Sequence, residues 1–181
     1  ASAAAAAAVA PAKKAASGPP EFTNDKAKTK ARQLVTELVS EGDLPYFQQS
    51  VASMSKLDLG YVTIQVLETA MNGNAKALET MTKIVHDAAV VKALVGAPEE
   101  VFAALESYEP LRLLADTVVD VMNAPERMAA IVGGLIKASA VTAARVTKMV
   151  DGFTKFCLEE EMNSAEELQR TCGRFLAALQ K

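Results

Sequence analysis

Between Val146 and Glu159 the chain carries a two-sided pattern that leaves little freedom of fold. Val146, Met149, Val150, Phe153, Phe156 and Cys157 share one face at helical spacing, and Lys148, Asp151, Lys155 and Glu159 share the other. A period near 3.6 residues makes an amphipathic helix whose apolar stripe must be covered. The same signal recurs in "PLRLLADTVVDVM", where Leu111, Leu114, Ala115, Val118, Val121 and Met122 are expected inside and Arg112, Asp116 and Asp120 outside. No segment shows sustained strand alternation bounded by turn pairs. The expected fold is therefore all-α: a multi-helix bundle or irregular helical array of about seven or eight helices over residues 25–181, behind an extended arm, residues 1–24.

Punctuation residues set the expected helix ends. A helix over 25–41, with Leu34, Val35, Leu38 and Val39 on one side, stops at Gly42. Asp43 caps a short helix at "LPYFQQ", and Pro45 sits in its first turn, where the missing N–H costs nothing. Further helices are expected over about 58–71 and 74–94, the second ending at Gly96. "APEEVFAALESY" forms a short one, because Pro98 and two glutamates suit an N-terminus. From Pro125 a helical pattern runs to about Glu160, with a kink or break expected at Gly133-Gly134 or Ser139. The last helix covers about 164–180.

Half of the 181 residues are apolar, few are aromatic and none is tryptophan, so the core must be built from Ala, Val, Leu, Ile and Met. The apolar stretches "MAAIVGGLI" and "GYVTIQVL" are about half the roughly 20 residues needed to span a bilayer and suit buried helices instead. Charge is uneven: residues 1–32 hold six Lys/Arg against two Asp/Glu, and the remainder holds 13 against 20. A basic arm on an acidic body is unlike a dedicated nucleic-acid binder, which presents a basic face on its folded part. The start "ASAAAAAAVAPAKKAASGPP" is Ala/Ser-rich and acid-poor, as organelle targeting segments are. A low-complexity tail has the same composition.

Met-Asn occurs three times, at Met71-Asn72, Met122-Asn123 and Met162-Asn163. The separations, 51 and 40 residues, exclude a fixed repeat. Asn123 with Glu126, and Asn163 with Glu166, have capping-box spacing; at the first pair Asn74 is the better cap.

Chemistry-bearing constellations are scarce. His86 is the single histidine; it follows Lys76, Glu79 and Lys83 on a polar face, and a solvated role is expected over a pigment or haem ligand. Cys157 and Cys172 flank the last helix connection among core residues, so two buried free thiols are expected; a disulfide requires an oxidising compartment. "SMSK" has the Ser-x-x-Lys string without its companion motifs, and "GGLIK" lacks the phosphate-loop spacing. The acidic run "LEEEMNSAEEL" has no calcium-loop pattern. The basic run Lys26, Lys28, Lys30 and Arg32 opens a helix where the dipole disfavours cations. It reads as a solvated face or as a docking site for an anionic surface.

No catalytic constellation emerges. The expectation is a non-enzymatic structural, linker or accessory subunit of a larger assembly, without a cofactor. It would contact protein partners through the arm and its cations, Lys13, Lys14, Lys26, Lys28, Lys30 and Arg32. Nucleic acid is not an expected partner. The organelle-like start points to a membrane-associated bioenergetic complex, a photosystem with its antenna or an ATP synthase. The chain would sit peripheral to the membrane, in a plastid before a mitochondrion. The alternative is a helical binding module for a lipid, pigment or tetrapyrrole.

Overall fold

Helix starts follow the caps that the sequence supplies. The computed structural model describes residues 22–159 and 165–180. Within them lie ten helices and no strand: α1 (Asp25–Glu41), α2 (Leu44–Ser53), α3 (Lys56–Asn72), α4 (Ala75–Ile84), α5 (Ala88–Val95), α6 (Pro98–Glu106), α7 (Glu109–Thr117), α8 (Ala124–Lys137), α9 (Ala143–Glu159) and α10 (Ala165–Leu179). Side-chain oxygens of Asn24, Asp43, Ser55, Asn74 and Asp87 each accept a free N–H at the start of their helix. Gly42 ends α1 in the left-handed conformation at φ 77°, and its N–H reaches back to the Leu38 carbonyl.

The all-α expectation holds, with more helices than the expected seven or eight. Two expected segments are shorter than their apolar pattern. Residues 74–94 are two helices, because Asp87 accepts from the N–H groups of Ala89 and Val90 and starts α5 afresh. The sixth expected helix stops at Thr117 instead of running to Met122. Three of the four residues from Thr117 to Asp120 are β-branched, which lowers helix propensity, and the chain continues in turns to Asn123. The break between α8 and α9 falls at Ser139, in the left-handed region at φ 62°, while Gly133 and Gly134 stay helical. Gly134 serves packing: a Cβ there would lie 2.6 Å from Val85 Cγ2.

α3 is the axle of the fold. Nine consecutive residues, Leu59–Leu67, are buried, so this helix is covered on every side. It packs against α1, α4, α6, α7 and α8. The second layer is α10 on α8 and α9, and α2 covers α5. One hydrophobic cluster runs through all of these, from Ala27 to Phe175. Phe22 and Tyr61 pack edge to face with centroids 4.9 Å apart, fixing the chain against α3 just ahead of α1.

Among the described residues no helix is long and apolar enough to cross a membrane.

Candidate interaction surface

The turn that replaces the end of the expected sixth helix is held from two sides. On one side, Thr117 Oγ1 donates to Asn72 Oδ1 at 2.8 Å. Nearby, Arg127 Nη1 donates to the carbonyls of Gly73 at 2.6 Å and Met71 at 3.3 Å, satisfying oxygens left free at the end of α3. On the other side, Arg174 of α10 donates to the Met122 carbonyl at 2.7 Å and to both oxygens of Glu126. Glu126 is thereby engaged, and Asn123 makes no side-chain cap bond, so the capping box expected there does not form. Asn163 lies outside the described residues.

This anchored turn presents apolar side chains to water. Val119 is 73% exposed and Met122 is 78% exposed. The inward place expected for Met122 is corrected: the helix that would have turned it inward ends five residues earlier. Scattered exposed hydrophobics such as Tyr46 and Leu57 are ordinary. Two within one turn, fixed by hydrogen bonds on both flanks, form a feature.

Val119 also lines a cleft of about 560 Å³ between the end of α7, α9 and the start of α10. Ala115, Val118, Phe153 and Leu168 supply its apolar lining, and Arg112, Asp116, Asp120 and Glu167 supply its charges. Beneath it lies an aromatic cluster. The Tyr108 ring is 5.2 Å from that of Phe153 and 5.8 Å from that of Phe156, and the Arg112 guanidinium stands over Phe156 at 5.4 Å. Tyr108 takes a left-handed backbone at φ 62° to reach this position. Burial, then the charges of Glu106 and Cys157, push its phenol above the ordinary tyrosine value.

One interior void, between α2, α3, α4, α5 and α8 and lined by residues such as Phe47, Val66, Ile84 and Leu135, is about 10 Å³. That is roughly the room of one water-sized sphere, far below a pigment or an acyl chain. A groove of about 200 Å³ between α1 and α2 is lined by Lys30, Gln33, Glu37, Tyr46 and Ser50 among others, mostly polar side chains.

The residues singled out in the sequence do not converge on one place. His86 is exposed in the turn between α4 and α5, not on a helix face. Lys13 and Lys14 lie outside the described residues. Lys28 donates to Glu109 at 2.6 Å, Lys30 stands 3.8 Å from Asp58, and Arg32 stands 3.8 Å from Glu68. These three cations of the basic run thus face acids of α7 and α3. Lys26 is exposed and has no acidic partner among the described residues. Cys157 and Cys172 are both buried free thiols. Burial raises each, and Cys172 is pushed up to about 11 with a further contribution from the Cys157 charge. Among the described residues no three His, Cys, Asp or Glu side chains form a metal-binding group.

The cleft is not legible in the sequence because the apolar pattern continues through Met122 as if in one helix. A signal of the helix end is present: Val118, Val119, Val121 and Met122 are too many apolar residues for one stripe, and Pro125 disfavours helix just before it. Compared with protein-family models, with curated proteins and with solved structures, the chain matches none.

Proposed function

We propose that the chain is a non-catalytic structural or accessory subunit whose helical body docks against other proteins of a larger assembly. The observation that carries this reading is the exposure of Val119 and Met122 on a doubly anchored turn beside an open cleft with an apolar lining. Apolar surface left in water is unfavourable by roughly 25 cal/mol per Å², and a partner covering the turn removes that cost. Fixed geometry also limits the entropy lost on docking.

The Ala/Pro/Lys composition of residues 1–24 supports a second contact, along a partner. Its organelle-like character favours a membrane-associated bioenergetic complex of a plastid as the host, with the body peripheral to the membrane.

The test is a native gel of source cells extracted in gentle detergent and probed for this chain. Co-migration with a complex far larger than its own 19.1 kDa is expected. A Val119→Ser/Met122→Ser variant is expected to run alone. Wild-type chain migrating at its own mass sinks the proposal.

A further inference from the structure

The cleft's charges are one-sided. Asp116 and Asp120 lie one helical turn apart by number on the α7 side, and Glu167 lies across from them on α10. None of the three has a cationic partner among the described residues. Six other acids, Asp58, Glu68, Glu79, Glu99, Glu109 and Glu126, each hold a Lys or Arg, while acids such as Glu41, Glu100 and Glu166 share the unpaired state of these three among the described residues. Arg112 is the one cation in the lining, and its guanidinium is turned onto the Phe156 ring. Both sides of the cleft therefore present carboxylates that have no ion-pair partner among the described residues, around an apolar lining.

We infer that this cleft binds a cationic amphipathic helix of a partner protein. The helix's apolar stripe lies on Ala115, Val118 and Val119, above the buried Phe153 and Leu168, and its Lys or Arg flanks meet Asp116 and Asp120 on one side and Glu167 on the other. The inference rests on the docking role proposed above and adds the chemistry of the partner.

Two features select this occupant. The walls come from α7 with the turn after it and from α10, over Phe153 of α9, and such a trough receives a helix by laying an apolar stripe into it. The helical part of this wall, Arg112–Thr117, is about 9 Å long, enough for one to two turns of a guest. The acids then choose among amphiphiles. An anionic lipid headgroup is repelled, and a neutral ligand leaves the acids uncompensated, whereas Lys and Arg pair with them and fix the register.

The experiment uses the full chain and two synthetic peptides of about 14 residues that share a Leu stripe at i, i+3, i+4 and i+7. One carries Lys at the remaining positions and the other carries Glu. Binding is followed by fluorescence anisotropy at low and high salt. The Lys peptide is expected to bind more weakly as salt rises, and the Glu peptide is expected not to bind. An Asp116→Asn/Asp120→Asn/Glu167→Gln variant changes only exposed side chains, so it keeps the fold, and it is expected to lose about tenfold in affinity.

Equal binding of the two peptides, or unchanged affinity in the triple variant, overturns the inference. So does salt-independent self-association that displaces the Lys peptide, which makes a second copy of this chain the occupant. The native gel separates this failure from that of the docking role. A triple variant that still enters the large complex, where Val119→Ser/Met122→Ser does not, leaves docking intact and removes the cationic helix.

Discussion

Gly133 and Gly134 are neighbours in sequence and opposites in surroundings. A Cβ on Gly133 would meet Leu179 Cδ2 at 3.9 Å, an ordinary contact, while one on Gly134 would press on Val85 Cγ2 at 2.6 Å and Val85 Cβ at 3.2 Å. Gly133→Ala is expected to stabilise the chain by up to about 1 kcal/mol through helix propensity. Gly134→Ala is expected to destabilise it by about 1–2 kcal/mol, because overpacking outweighs the same gain. Denaturant midpoints moving in the same direction would show that α8 does not press on Val85. Cys172 gives a pH dependence. Its folded-state thiol sits near 11 against an ordinary 9, mainly through burial, so the unfolded chain ionises first. The contribution is present below pH 9 and is lost as pH rises toward 11, on the order of 2 kcal/mol. Cys172→Ala should flatten the alkaline fall in denaturant midpoint relative to wild type. Equal slopes would assign the fall to other groups, Tyr108 first among them, since its raised phenol acts with the same sign.

At the scale of elements, caps outrank apolar pattern. Residues 75–95 have helical composition throughout, yet Asp87 splits them, and its other carboxylate oxygen accepts from Gln48 Nε2 of α2 at 2.9 Å. Asp87→Ala removes all three bonds and is expected to cost about 1 kcal/mol or slightly more, read from urea denaturation. A loss of only a few tenths would mean that α5 is positioned by packing alone. The helix starts at Asp43 and Pro98 and the stop at Gly42 were legible because each acts within one turn of its own residue. The end of α7 was not, because Thr117 bonds to Asn72, 45 positions away, and the turn after it is fastened by Arg174. The basic opening of α1 divides in the same way. Its penalty at the helix dipole could be read locally, but the acids it faces come from α3 and α7.

For the molecule as a whole, the single cluster from Ala27 to Phe175 predicts cooperative unfolding. Far-ultraviolet circular dichroism and tyrosine fluorescence should report coincident transitions, since Tyr61 and Tyr108 lie in different parts of the fold and both pack on that cluster. Separate midpoints would reveal two independently folding parts. Sequence by itself determined the helical class, the inward stripe of α9, the burial of α3 and α8, and the burial of both thiols. Each follows from periodicity or hydrophobicity within one segment. Tertiary structure decided where the apolar pattern stops mattering. Val119 and Met122 face solvent because a hydrogen bond from Arg174 of α10 and one from Thr117 to Asn72 at the end of α3 hold their turn outside the core. The cleft beside them joins residues of α7, α9 and α10, and its unpaired acids can be recognised only once every other side chain's partner is known. A sequence states which residues seek burial, but the space available to bury them is set by neighbours that the chain brings together only on folding.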